Sequence, residues 1–318
     1  MRRRVTSMFL RAAAVAGCLQ LVLTYPGVAT AKQPAGTAQQ PASPAQQPGG
    51  AAQAPAAPAA PTPGRGGRGP QPVDPRVQIR THHFADTNEQ IPYSLFVSSK
   101  VRRDTKAPMI VTLHGLGGTH TTMMRPNALD LAEAGGYILL APMGYNSSGW
   151  FGAPAPPGRG RRGTPPAGAP AGPPDGGMEP AKLRELSEKE TLQVIDLVRK
   201  EFTVDDARTY LMGHSMGGAG TLHLAVKYPQ RWAAVSAIAP AAFSVDRQGL
   251  TTIPRMPIMI VHGDIDNVVP VTVGRAWVEA MTALKMTPYY IEVPGGDHGS
   301  VISSHQAEIF AFFARHSR

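Results

Sequence analysis

Residues 211–220 read LMGHSMGGAG, a single serine set among glycines between an apolar run and a helix-like run. The run before it ends in Tyr210-Leu211-Met212, as a buried strand would. The stretch after it, Met216 to Lys227, stops short of Pro229, as a helix would. Gly213-His214-Ser215-Met216-Gly217 therefore fits a G-x-S-x-G turn in its strand-to-helix setting. Turning straight from strand into helix crowds the positions two before and two after the serine, and glycine at 213 and 217 removes the offending side chains. The turn lifts the serine hydroxyl clear of the sheet and presents the N-terminus of the next helix to a developing anion. Ser215 is the candidate nucleophile.

The surrounding sequence repeats the same alternation. VQIRTHHF (77–84) and IPYSLFVS (91–98) read as a leading hairpin. APMIVTLHG, GYILLAPMG, ARTYLMGHS, WAAVSAIAP, MPIMIVHG and PYYIEVPGG follow, most of them short apolar runs without strict alternation. Such runs suit strands covered on both faces. Helices are predicted over Ser187–Phe202, where Ser187 and Glu190 read as a capping box, over Met216–Lys227, and over about 273–284 and 301–316. The expected fold class is α/β, with a mostly parallel central sheet and helices on both faces.

Sites in such sheets form where the strands end, so the residues that follow each apolar run matter most. After MIVTL comes His114-Gly115-Leu116-Gly117-Gly118, whose glycines let backbone approach a bound carbonyl; the Leu116 and Met216 N–H groups are the expected oxyanion donors. A serine needs a base, and the base needs an orienting carboxylate. VHGDIDNVVPV supplies Asp264 and Asp266, and VPGGDHGS supplies His298. The order Ser, Asp, His, at spacings of 51 and 32 residues, leaves room for the intervening strands and helices. His114, His214 and His262 each end an apolar run and are expected to hold loops, and Asp297 reads as a loop residue. GYNSSGWFG (144–152) puts Tyr145, Trp150 and Phe151 at the expected mouth as candidate substrate contacts. No H-x-x-x-H pair lies in the domain and no G-x-G-x-x-G follows a first strand, so neither a metal nor a cofactor is implied.

Together GHSMGG, HGLGG, HGDIDNVVP and DHG resemble the motifs of the alpha/beta hydrolase superfamily, over about residues 76–318. Within it the chain is similar to secreted feruloyl esterases and polyhydroxybutyrate depolymerases, and to the catalytic domain of prolyl oligopeptidases. The resemblance implies a Ser215–His298–Asp266 triad, since the family's acid closes the H-G-x-x-D pattern at Asp266 and leaves Asp264 in a turn. It further implies a serine carboxylic-ester hydrolase working through an acyl-enzyme. The substrates expected are acylated polysaccharide, aryl or polyester-type esters, polymeric ones included. A prolyl-oligopeptidase-like peptidase and a non-catalytic hydrolase-fold binding protein are the alternatives. Prolyl oligopeptidases usually carry a β-propeller ahead of the hydrolase domain, and here only a low-complexity tether precedes it.

The remaining sequence bears on location. Arg2, Arg3, Arg4 and Arg11, an apolar stretch from Ala12 to Val28 and the small-x-small end Ala29-Thr30-Ala31 read as a signal peptide over 1–31. Gln20, Tyr25 and Pro26 interrupt that stretch too early for a membrane span. Cys18, the single cysteine, sits in VAGC, so lipid attachment at the cell envelope stands beside a secreted or periplasmic product. Residues 32–75 are a Pro/Ala/Gln/Gly-rich linker, and a similar segment at about 153–177 is expected to be a long loop within the domain. Of 31 Lys and Arg, seven lie in residues 1–75 against one of 22 acids, so the domain itself is nearly neutral and no nucleic-acid partner is implied.

Overall fold

The apolar runs become eight strands and the amphipathic stretches six helices among the described residues, which are 72–156, 172–173 and 176–318 of a computed structural model. In chain order these are β1 (Gln78–Phe84), β2 (Glu89–Val97), β3 (Ala107–Leu113), α1 (Pro126–Gly135), β4 (Ile138–Ala141), α2 (Pro180–Glu201), β5 (Val204–His214), α3 (Met216–Lys227), β6 (Ala234–Ile238), β7 (Ile258–Gly263), α4 (Val271–Ala283), β8 (Tyr289–Val293), α5 (Val301–Ser304) and α6 (Gln306–Ala314). They build one sheet in the order β1-β2-β4-β3-β5-β6-β7-β8. The β1–β2 and β2–β4 pairings are antiparallel, and every pairing from β4 to β8 is parallel. This is the alpha/beta hydrolase architecture.

The missing polar alternation has a direct cause. β3, β4, β6 and β7 are buried at every position because helices cover both faces of the sheet. Side chains still alternate between the two faces. Met109, Val111 and Leu113 of β3 join Leu211, Val235 and Ile260 in a core with Trp232, Trp277 and Phe151. Ile110 joins Tyr210, Met212, Met259 and Val261 in a second core, closed by Phe310, Phe312 and Phe313 of α6. Burying each large side chain contributes roughly 1.5–3 kcal/mol, and two such layers hold the central strands rigid.

Register brings the strand ends to one level. Leu113 pairs with Gly213, His214 with Ile238, Ile238 with Val261, and Gly263 with Val293. The turns that follow β3, β5, β7 and β8 therefore emerge along the same edge of the sheet.

Two helix expectations need correction. α2 begins at Pro180, seven residues before the expected start, so Ser187 and Glu190 lie mid-helix and form no capping box. The last helix is broken at His305 into α5 and α6. The leader with Cys18, the linker up to residue 71, and residues 157–171 and 174–175 of the insertion lie outside the described residues. Of the insertion's near end, Ala153 is fully buried in the first core and belongs to the domain's packing. Among the described residues no helix is long and apolar enough to cross a membrane.

Ile110 is fully buried in the central strand. Ile110→Ala is expected to lower the unfolding free energy by about 2–5 kcal/mol. A shift of the urea midpoint measures this, and an unshifted midpoint would contradict the two-layer packing.

Candidate active site

Ser215 carries the cost of the sharp turn in its backbone. Its φ of 55° and ψ of −114° lie outside the regions an L-residue favours, a strain of roughly 1–3 kcal/mol that surrounding bonds must hold. Three main-chain bonds do so. Ser215 N–H donates to Ile238 O at 2.9 Å, and Ser215 O accepts from Ala219 N at 3.0 Å and Ala241 N at 2.9 Å. The flanking glycines answer to backbone on either side. A Cβ at Gly213 would strike the Gly217 carbonyl, while one at Gly217 would strike the carbonyls of Leu113 and His114 at the end of β3. The second clash comes from a neighbouring strand and not from within the turn.

The loop after β8 brings His298 to this serine. Ser215 Oγ–H donates to His298 Nε2 at 2.9 Å, and His298 Nδ1–H donates to Asp266 Oδ2 at 2.7 Å. The other carboxylate oxygen of Asp266 accepts from the N–H groups of Val268 and Val269, each at 2.8 Å. With its side chain buried and both oxygens bonded, Asp266 can turn only by breaking those bonds. Its contact with Nδ1 selects the tautomer that leaves Nε2 free to accept a proton. Asp264 stands apart, accepting from Gly295 N–H at 2.7 Å, and Asp297 closes its own loop through the Gly299 and Ser300 N–H groups.

The glycine loop after β3 lies against the serine. A Cβ on Gly115 would come within 3.3 Å of Ser215 Cβ. Gly117 N–H donates to Ser147 O and Gly118 N–H to Gly115 O, each at 2.9 Å. Among the described residues the Leu116 N–H meets no protein acceptor, and the Met216 N–H opens α3, where a helix has no internal partner for it.

The histidines at the strand ends each bond a carbonyl. His114 contacts Met143 O at 3.0 Å and Gly115 O at 2.8 Å, His214 bonds His298 O at 2.7 Å, and His262 bonds Val269 O at 2.9 Å. Burial lowers the proton affinity of all three, and His214 is pushed down to about 3.

Tyr145, Trp150 and Phe151 do not wall the mouth of the site. All three are buried, and Phe151 packs edge-on against His114 at 5.2 Å between ring centroids. Their stretch is nonetheless unusual, because Tyr145, Trp150 and Phe151 take φ values of 66°, 60° and 50°. α2 supplies the bonds that hold it. Glu190 accepts from Tyr145 N–H at 3.1 Å and from His82 Nε2 at 3.0 Å, and Ser187 Oγ accepts from Phe151 N–H at 2.9 Å. The S-x-x-E pattern at 187–190 was the visible signal of these residues. Its acceptors serve a distant loop where the pattern alone implied a helix end.

Residues 87–284 match the Esterase family model, a span that holds Ser215 and Asp266 but stops before His298. Over 96 residues the chain is 32% identical to Cutinase 2 of Thermobifida cellulosilytica, covering 30% of this chain and 34% of that one. Over 147 residues it is 29% identical to Feruloyl esterase B of Neurospora crassa, covering 44% and 42%. The chain thus spans less than half the length of these curated relatives. Among solved structures it resembles a thermostable esterase with a TM-score of 0.55 and 26% identity, covering 76% of this chain and 63% of that one.

Ser187→Ala would leave the buried Phe151 N–H without its acceptor, an expected loss of about 1–3 kcal/mol. Thermal or urea unfolding reads it, and a variant as stable as the parent would show that α2 does not hold the strained turn.

Proposed function

This chain belongs to the Esterase family, and from that premise we propose that it is a serine carboxylic-ester hydrolase working through an acyl-enzyme. The observation that carries the reading is the placement of the His298 ring, 2.9 Å from Ser215 Oγ on one side and 2.7 Å from the Asp266 carboxylate on the other. In the proposed reaction His298 Nε2 takes the Ser215 proton as the oxygen attacks the ester carbonyl. Asp266 stabilises the resulting imidazolium. The Leu116 and Met216 N–H groups receive the oxyanion, each donor being worth a factor of about 10²–10³ in turnover when it is well aimed. As the tetrahedral species collapses, the bond to the alcohol breaks and His298 returns the proton to the departing oxygen. Water then attacks the acyl-serine by the same route, releasing the acid and restoring Ser215. Every proton taken in one half-reaction is returned, so His298 ends each turnover in its starting protonation state.

For the substrate we propose acylated polysaccharide, aryl or polyester-type esters, polymeric ones included. Support comes from the cutinase and feruloyl esterase relatives together with the export signal and tether read from the sequence. Export is proposed on that signal, with cleavage after the leader or lipid attachment at Cys18 as the two routes. The mass of the mature N-terminus separates them.

Ser215→Ala is expected to reduce turnover of p-nitrophenyl acetate by about 10⁶, and Asp266→Asn by about 10⁴ through the wrong imidazole tautomer. Parental rates in either variant would overturn the triad. A panel of feruloyl, acetyl-xylan, short-chain and polyhydroxyalkanoate esters, run beside dipeptide amides, reads the substrate class. Faster cleavage of the amides would favour the peptidase reading instead.

A further inference from the structure

His298 rides on an exposed loop of the site. Pro294, Gly295, Asp297, Gly299 and Ser300 around it are all exposed, and Gly295 takes a φ of 68°. Asp297 organises this loop internally, but a self-bonded loop does not determine where an imidazole sits relative to a serine on another strand. Beside the His298 ring's own bonds to Asp266 and Ser215, three bonds among the described residues hold the backbone of this loop to neighbouring segments. Ile265 N–H donates to Gly296 O at 3.2 Å and Gly295 N–H to Asp264 Oδ1 at 2.7 Å, both upstream of the base. The third reaches residue 298 itself: His214 Nε2–H donates to His298 O at 2.7 Å.

We propose that His214 is a positioning residue, whose imidazole holds the His298 backbone to the end of β5 and so keeps the base within reach of Ser215. The proposal rests on reading Ser215, His298 and Asp266 as the triad. Its strength lies in how the contacts close. Adjacent residues 214 and 215 grip opposite ends of residue 298, one bonding the carbonyl and the other the ring. Two grips one residue apart, one at the end of β5 and one in the turn that follows it, set the rotation of His298 as well as its distance. The two rings also lie against each other, with centroids 4.6 Å apart and planes tilted by 50°. On its other side the His214 ring meets the oxyanion loop, since a Cβ on Gly115 would stand 3.1 Å from His214 Nδ1. The ring thus spaces the oxyanion loop from the base loop.

The bond requires a proton on Nε2, and one charge state serves the reaction better than the other. Burial, then the neighbouring His298 and more weakly Arg125, disfavour a cation at 214, while the His298 carbonyl and Asp266 favour it. The balance keeps His214 neutral at working pH. An imidazolium forming on His298 during acyl transfer therefore meets a polarisable neutral ring in place of a second positive charge.

Two substitutions separate the hydrogen bond from the packing. His214→Phe keeps a flat ring of similar bulk and loses the donor, whereas His214→Gln loses the ring and keeps an N–H. Active sites are counted by fluorophosphonate labelling of Ser215, and kcat and KM for p-nitrophenyl acetate are then measured per labelled site. The expected result is a fall in kcat on the order of 10²-fold for His214→Phe with KM unchanged, as for a base displaced by a fraction of an ångström to 1 Å. His214→Gln is expected to recover most of that loss. The inference is overturned if His214→Phe keeps the parental kcat, if both variants lose kcat alike, or if KM rises with kcat intact, which would place the ring on the substrate. Should either variant fail to fold, the kcat of the other still decides: a parental value for His214→Phe or a 10²-fold loss for His214→Gln sinks the proposal. A parent chain that takes no label at Ser215 would instead defeat the hydrolase reading itself, and this one with it.

Discussion

The backbone of Ser215 is the constraint on which the rest of the structure depends. A residue at φ 55° and ψ −114° is stable only where its neighbours leave it no alternative. Here β6 takes its N–H through Ile238, α3 takes its carbonyl through Ala219, and the turn after β6 takes the same carbonyl through Ala241. Those bonds require β5 and β6 in parallel register with His214 opposite Ile238. They also require β3 close enough that its Leu113 and His114 carbonyls leave room for nothing larger than glycine at 217. Strain at one serine and the order of the sheet are two descriptions of one arrangement.

A second tier of strain lies behind the glycine loop that follows β3. Non-glycine residues with positive φ at 145, 150 and 151 are each unfavourable, and they are offset by buried acceptors on α2. That stretch in turn receives bonds from the glycine loop, through Ser147 O to Gly117 and through Met143 O to His114. The scaffold for the glycine loop therefore runs from α2 through a tight turn to the end of β3. The same helix reaches α3 by another route. Glu188 accepts from His223, Lys227 and Tyr228, joining α2 to the helix that follows the serine. Although burial opposes its charge, these donors hold the Glu188 carboxyl down to about 2, so the link persists through the neutral range.

Electrostatically the site is economical. Histidines end β5 and lie within β7, follow β3, and follow β8 in the loop, yet His298 alone contacts both a carboxylate at 2.7 Å and a hydroxyl at 2.9 Å. The other three are desolvated and bonded to carbonyls, which suits them to hold loops without adding charge beside Ser215 and His298.

Local pattern settled a good deal. Unbroken apolar runs such as MIVTL and IMIVHG imply strands covered on both faces, because an exposed face would need polar side chains. Glycines at 213 and 217, and the order of Ser215, Asp266 and His298, are legible because steric exclusion and chain order are local properties. Other features depended on what lies across space. Ser187 and Glu190 looked like a helix cap since their spacing carries no record of the loop they bond. Tyr145, Trp150 and Phe151 looked like a mouth, and only packing decides whether an aromatic side chain faces solvent or core. Likewise the bond from His214 to the carbonyl of His298 joins residues 84 apart, a distance that no local period encodes. Periodicity and sterics act between near neighbours and so are written in the chain, whereas hydrogen-bond partners and buried faces are chosen only when the sheet edge gathers its loops.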